Sequence, residues 1–88
     1  ESIGWLSVHI SCNDISVSGA RPRWLLPVLY IPEDSDENFI DMLTKQIDEA
    51  AKEIGVMIIG GHTEFTPGLK RPMISMTAVG IVDREKLV

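Results

Sequence analysis

The segment from Ser2 to Gly19 contains no Lys, Arg or Glu, although charged residues make up 24% of the chain. At 100° per residue it forms a helix with two apolar stripes on nearly opposite sides. One stripe comprises Ile3, Leu6, Ile10, Val17 and Ala20, and the other comprises Trp5, Val8, Cys12, Ile15 and Gly19. A helix of this kind is typical of a protein interior. We therefore predict a buried helix over about residues 3–20, ended by Gly19 and Pro22.

Three apolar segments farther along the chain predict strands. Trp24–Ile31 suits a strand in which Pro27 implies a bulge or an edge position. Val56–Ile59 is short and wholly apolar, which is typical of a buried central strand. Met73–Val82 alternates between apolar and more polar positions, so one of its faces is more polar than the other.

Between the first two strands lies an ordinary amphipathic helix. Ser35 is a suitable N-cap and Gly55 a suitable C′ residue. The apolar face of this helix consists of Phe39, Ile40, Leu43, Ile47, Ala50, Ala51 and Ile54. The order helix-strand-helix-strand-strand predicts an α+β fold, with a mixed β-sheet and helices on one face. The other sheet face would be bare and apolar, which predicts a homodimer formed through it.

Composition limits the function classes. The 88 residues fit one small domain, and 44% hydrophobic content is that of a globular chain. A net charge of −5 gives no electrostatic reason to bind nucleic acid or an anionic membrane, so we expect neither partner. The single cysteine, Cys12, excludes an internal disulfide and favours a cytoplasmic location. Because the chain begins at Glu1 and a domain this short is marginally stable alone, we expect it to be a piece of a longer protein.

Asn13-Asp14 is the first candidate site. Asp14 is the only acid on a helix predicted to be buried, where an ionised carboxylate needs a cation or several donors. A narrow strip between the two apolar stripes holds Asp14, and its other members are all small: Gly4, Ser7, Ser11 and Ser18. The carboxylate could hold Mg²⁺ for a phosphate substrate. It could instead bond backbone amides, Arg21 or Arg23, which these residues alone favour because structural ion pairs are commoner than sites.

The second candidate is Gly60-Gly61-His62-Thr63-Glu64, directly after the predicted buried strand. Paired glycines at a strand end let backbone amides approach an anion closely. His62, Thr63 and Glu64 add a donor, a hydroxyl and a carboxylate. The alternative is a simple turn with solvated polar residues, and the spacing is not that of a Walker A loop.

Three other features favour structural explanations. His9 and Cys12 are a lone helical pair without a second Cys/His pair, so we do not expect a structural zinc site. Cys12 lies on an apolar stripe and suits an inert core thiol. Lys70-Arg71 could hold a phosphate, but two charges in an exposed loop are more often solvated.

Taken together, these motifs resemble a known family. The segment from Cys12 to Pro22, which reads N-D-x-x-x-x-G-A-x-P after the cysteine, precedes a strand, an amphipathic helix and Gly60-Gly61-His62-Thr63. This pattern is similar to the N-terminal domain of the aminoimidazole ribonucleotide (AIR) synthase superfamily. The family includes hydrogenase expression/formation proteins of the E type, selenophosphate synthetase and thiamine-monophosphate kinase. The resemblance covers about Trp5 to Val82.

The resemblance implies ATP and Mg²⁺ as cofactors, and two such domains pairing their sheets into a barrel-like homodimer. Asn13 and Asp14 match the motif expected near the nucleotide, with Asp14 as the metal ligand. Gly60, Gly61, His62 and Thr63 match the segment expected near the phosphates. Ala20 and Pro22 match the motif but suit structural positions.

The implied function is the ATP-binding half of a synthase of the AIR synthase or hydrogenase-maturation type. Such a synthase activates a carbonyl or carbamoyl oxygen of a small-molecule or protein-bound substrate by phosphorylation. His62 stands where several family members have an acid, and a neutral imidazole cannot replace a carboxylate on Mg²⁺. The alternatives are a non-catalytic dimerisation module of the same fold, a small-molecule kinase, or a selenophosphate synthetase-like enzyme. The family's upstream glycine-rich segment and C-terminal domain lie outside residues 1–88, and we expect no turnover without them.

Overall fold

The computed structural model describes residues 3–83, which form two helices and four strands. In chain order the elements are α1 (Ile3–Val17), β1 (Arg21–Pro32), α2 (Glu37–Ile54), β2 (Met57–Ile58), β3 (His62–Thr66) and β4 (Met73–Ile81). The predicted α+β class and element order are confirmed, with one strand, β3, that the sequence had suggested only as a turn. Within residues 3–83 neither helix is both long and apolar enough to cross a lipid bilayer.

β1 is the centre of the sheet. It pairs in parallel with β2 and β3, and antiparallel with β4, so the sheet is mixed as predicted. Trp24 pairs with both β2 and β4, and Val28 with both β3 and β4. β2 and β3 therefore lie end to end along the same edge of β1, and the prediction that residues 56–59 form the central strand is wrong. Met57 and Ile59 are more than half exposed because their side chains lie on the face of the sheet that the helices do not cover.

The interruption between β2 and β3 lies opposite Pro27. Leu25 pairs with Ile58 and Val28 with His62, so two residues of β1 face three residues of the partner strand. The Ile59 N–H donates to the Leu25 carbonyl at 3.0 Å. The next residue of β1 whose backbone would face the same neighbouring strand is Pro27, which has no N–H to continue the ladder. The prediction that Pro27 marks an edge or a bulge of β1 is therefore wrong. Pro27 ends the pairing with β2 instead.

Both helices cover the same face of the sheet, as predicted. The core is formed by Val8, Cys12, Leu25, Leu29, Ile31, Leu43, Ile47, Ala50, Ala51 and Val56. Alternate residues of β1 supply the sheet's share of this core because side chains alternate across a strand. Ile74, Met76 and Ala78 of β4 pack against it from the same side.

The opposite face of the sheet is open and apolar. Its exposed large side chains include Leu26, Met57, Ile59, Met73, Val79 and Ile81. Ser75 and Thr77 of β4 lie on this face, which confirms the predicted alternation of that strand.

Helix α1 is not the fully buried helix that its composition predicted. Val8 and Cys12 are buried, whereas Leu6, Ile10 and Val17 are 49%, 58% and 82% exposed. One of the two apolar stripes therefore covers the sheet and α2, and the other faces outward. The helix ends at Val17, earlier than predicted, and Gly19 follows it with a φ of 94°.

Helix α2 begins one residue later than the sequence suggested. Asp36, not Ser35, is the N-cap, and its carboxylate accepts a 3.0 Å hydrogen bond from the Phe39 N–H. Gly55 ends the helix with a φ of 87°, as predicted for a C′ glycine.

Candidate functional site

The Gly60-Gly61 segment lies very close to β1. A Cβ atom on Gly61 would come within 3.1 Å of the Pro27 carbonyl oxygen, and one on Gly60 within 3.0 Å of Leu26 Cδ1. Such contacts are tighter than side chains normally make, so glycine at these positions lets the chain bridge β2 and β3 while touching β1.

A cavity of about 220 Å³ opens between this segment and α2. Its lining comprises Pro27, Leu29, Thr44, Ile47, Asp48, Ile58, Gly60, Gly61, His62 and Thr63. The four predicted residues 60–63 therefore share one cavity with a hydroxyl and a carboxylate from α2. Thr44 and Asp48 were not among the predicted site residues, although their i, i+4 spacing places both on one side of that helix.

His62 forms a close pair with Glu64. The His62 Nε2 and Glu64 Oε1 atoms are 3.2 Å apart, and the side chains are 62% and 57% exposed. Both lie on the open face of the sheet, whereas Thr63, paired with Leu29, lies on the helix side. Because the pair is exposed, it contributes little to stability.

Asn13 and Asp14 lie in the last turns of α1, and both are exposed. Within residues 3–83 neither side chain makes a hydrogen bond or an ion pair. The expected burial of Asp14 is therefore wrong, and so is the expected bond to Arg21, Arg23 or backbone amides. The carboxylate is free to bind a ligand from solvent.

The two motifs do not share a cavity. Ile15 lies against Gly80, which pairs with Pro22 near the start of β1, whereas Gly61 lies beside Pro27. Pro22 and Pro27 are five residues apart, or about 17 Å along a strand. The Asp14 region and the Gly60-Gly61 region are thus separate parts of the surface within residues 3–83.

The described side chains can be compared with the ligands that Mg²⁺ takes in proteins. Within residues 3–83 no group of three or more His, Cys, Asp or Glu side chains could hold a metal. Mg²⁺ usually keeps several waters and takes one or two carboxylates plus substrate phosphates. An exposed Asp14 fits that mode of binding, whereas the imidazole of His62 is a poor ligand for so hard a cation.

His9 and Cys12 are structural, as predicted. The His9 ring stacks on Trp5 with centroids 3.8 Å apart, and its Nε2 atom lies 3.5 Å from the Glu53 Oε1 atom. The contact with Glu53 joins α1 to α2. Cys12 is buried, and desolvation raises the pKa of its thiol above the ordinary value of 9.0.

Comparisons with known proteins agree with this architecture. The model of the family "AIR synthase related protein, N-terminal domain" matches residues 1–82. A Methanocaldococcus jannaschii protein that carries the name hydrogenase expression/formation protein is 40% identical over 86 residues. The phosphoribosylformylglycinamidine cyclo-ligase of Pyrococcus horikoshii is 35% identical over 89 residues. Each match covers 98% or more of this chain but only 26% of the relative.

Solved structures give the same result. The crystal structure of the hydrogenase maturation protein HypE in complex with ATP superposes with a TM-score of 0.89 at 32% identity, over 97% of this chain and 26% of that one. Thiamine monophosphate kinase from Aquifex aeolicus shares the fold, with a TM-score of 0.80 at 23% identity, over 90% of this chain and 26% of that one. The family match spans every described element, and the chain therefore belongs to the AIR synthase related proteins as an N-terminal domain of that family.

Proposed function

We propose that this chain is the ATP-binding half of an ATP-dependent synthase of the AIR synthase or hydrogenase-maturation type. The observation that carries the proposal is the break at Gly60-Gly61, where the backbone lines a cavity together with Thr63 and two polar side chains of α2. The relative crystallised with ATP supports it, since that protein is similar to nearly the whole of this chain.

In this proposal the two motifs hold different parts of the nucleotide complex. The Gly60 and Gly61 backbone, the His62 backbone and the Thr63 hydroxyl contact phosphate oxygens, since the His62 ring lies on the open face of the sheet. Asn13 orients Asp14 or touches the nucleotide. Asp14 holds Mg²⁺, which when bound offsets phosphate charge during transfer. Since the motifs lie apart within residues 3–83, ATP would have to reach both, with the remainder of the protein completing the site.

The proposed reaction transfers the γ-phosphoryl group of ATP to a carbonyl or carbamoyl oxygen, with ADP as the leaving group. The second substrate, a small molecule or a protein-bound group, then carries the activated oxygen. We assign no catalytic residue within residues 3–83, because the proposed contacts bind and orient the nucleotide. Activity in the cytoplasm is part of the same proposal and is compatible with the free thiol of Cys12.

Isothermal titration of the full-length protein with ATP, with and without Mg²⁺, tests the proposal. Asp14→Ala should abolish the part of the affinity that depends on magnesium. Asp41→Ala, which removes an exposed carboxylate from α2, is the matched control and should leave that affinity unchanged. Magnesium-dependent ATP binding that survives in Asp14→Ala would contradict the assigned role.

We further propose a homodimer formed through the open face of the sheet. Leu26 and Val79 are 39% and 44% exposed there, beside Met57 and Ile59 at the adjoining edge. A contiguous apolar surface of this kind marks an interface in soluble proteins. Val79→Asp should therefore give monomers in light scattering, whereas Asn38→Asp on α2 should stay dimeric. A monomeric wild type at micromolar concentration would contradict the proposal.

One observation favours a second candidate, a binding module that keeps the fold without catalysis. His62 pairs with Glu64 and is not itself a carboxylate, so this position cannot serve Mg²⁺ as an acid would. Turnover of ATP by the full-length protein that is lost in Asp14→Ala would exclude the module. ATP binding without turnover, with a gain in magnesium-dependent affinity in His62→Asp, would support it.

A further inference from the structure

The end of the sheet where β1 begins and β4 ends contains a cavity of about 240 Å³. Its lining residues are Gly19, Ala20, Arg21, Arg23, Ile81, Val82 and Asp83. Two arginines thus line one cavity in a protein whose net charge is −5. Arg presents a fork of N–H donors that matches the oxygens of a phosphate group.

Neither arginine has an ionic partner among residues 3–83. The ion pairs in that part of the chain are His9–Glu53 and His62–Glu64. Asp83 lines the same cavity but lies beyond ion-pair distance of both guanidinium groups. Arg21, Arg23 and Asp83 together carry one net positive charge, so the electrostatic field at the cavity favours an anion.

A β-bulge keeps Arg23 at the surface. Pro22 pairs with Gly80 and Trp24 with Val79, so Arg23 has no partner on β4. In an unbroken strand the alternation that buries Leu25 would direct residue 23 toward the helices, where an unpaired charge is costly. Bulges redirect side chains in this way and are frequent beside functional sites.

The position of Arg23 is also constrained from its other side. Its guanidinium carbon lies 5.6 Å from the centroid of the Trp24 ring, within the range of a cation–π contact. A guanidinium held against an aromatic ring is better preorganised for an anion than a freely rotating one.

We propose that Arg21 and Arg23 form a binding site for a phosphate group. The site is separate from the Gly60-Gly61 cavity because no residue lines both. The inference does not rest on the proposed ATP-dependent reaction. It predicts that inorganic phosphate and pyrophosphate bind here whether or not the protein uses ATP.

The test is a titration of the full-length protein, labelled with ¹⁵N-tryptophan, with sodium pyrophosphate at constant ionic strength. The indole signal of Trp24, assigned by its loss in Trp24→Phe, should move saturably. Arg21→Ala and Arg23→Ala should each weaken binding about tenfold, as expected for loss of a charge-assisted hydrogen bond. Asp83→Asn should strengthen it, because a repelling charge is removed.

The matched control is Lys70→Ala/Arg71→Ala, which removes two positive charges from the β3–β4 loop without touching this cavity. Equal weakening of pyrophosphate binding in this control would show that the arginines act only through general electrostatic attraction, and it would overturn the proposed site. An unmoved Trp24 signal in the wild type would overturn it directly.

Acetate at the same concentration should bind more weakly than phosphate, and equal binding would refute phosphate as the ligand class. ATP binding that depends on Asp14 but not on Arg21 or Arg23 would leave the proposed function intact and this site separate from it.

Discussion

Gly80→Ala tests the contact between α1 and the sheet. A Cβ atom at position 80 would lie 2.6 Å from Ile15 Cγ2 and 2.7 Å from the Arg21 carbonyl oxygen. Gly80 has no positive φ, so its backbone conformation is open to any residue. Glycine is therefore required at this position by close packing alone.

The size of the effect follows from these distances. Carbon atoms ordinarily approach each other to about 3.5–4.0 Å and a carbonyl oxygen to about 3.3 Å, so α1 or the β1–β4 pair must move by roughly 1 Å. Overpacking of this kind costs about 1–3 kcal/mol. Replacing glycine within a strand returns at most about 1 kcal/mol through the unfolded chain. Both contacts are shorter than 3.0 Å and one is with backbone, which cannot rotate aside, so the upper part of that cost applies and the net loss is about 1–2 kcal/mol.

Hydrogen exchange of the full-length protein is the appropriate assay, because it reports opening of α1 locally. Amides of α1 should exchange faster in Gly80→Ala, and combining it with Ile15→Ala should recover part of the loss as a coupling energy. Gly68→Ala is the control, since nothing lies within 4 Å of its Cβ position and its φ of 80° strains only the β3–β4 turn. Wild-type exchange in α1 of Gly80→Ala would refute the described packing of that helix.

Three further outcomes are expected. Gly55→Ala should destabilise the protein by about 1 kcal/mol in thermal unfolding, because residue 55 adopts the left-handed conformation, and Gly55→Asn should cost less. Asp36→Ala should lose about 1 kcal/mol through the cap bond to the Phe39 N–H, with Asp36→Asn close to wild type in the same assay. The thiol of Cys12 should react slowly with iodoacetamide near neutral pH. Burial raises the pKa of this thiol, so the folded state keeps it protonated at a pH where the unfolded state, with its pKa near 9.0, ionises. The free energy of unfolding should therefore fall above that pH in wild type and not in Cys12→Ala.

Local patterns in the sequence predicted most of the fold. The apolar face of α2 and its glycine terminus were correct because helix periodicity and left-handed caps depend on neighbouring residues only. The place of residues 56–59 in the sheet was predicted wrongly. A short apolar run does not distinguish a central strand from an edge strand, since that difference depends on partners distant in sequence.

The candidate site was predicted only in part, because only some of its residues are neighbours in sequence. Residues 60–63 do share a cavity, because they are adjacent in sequence. The contribution of Thr44 and Asp48 depends on how α2 lies over the sheet, which no local pattern encodes. The exposure of Asp14 was missed because a helix without long charged residues can still leave one apolar side uncovered.

The single extra residue between β2 and β3 also decides which side chain each face of the sheet presents. Side chains alternate along a strand, so a shift of one residue exchanges the two faces. If β3 kept the register of β2, His62 would stand opposite Leu29, toward α2, and Thr63 would join the open face. Removing one glycine from the Gly60-Gly61 pair would let β3 continue the register of β2 with His62 still opposite Val28, whereas removing both would place it opposite Pro27 and interchange the imidazole and the hydroxyl between the two faces. The length of this segment, as much as its glycine content, fixes the chemistry of both surfaces.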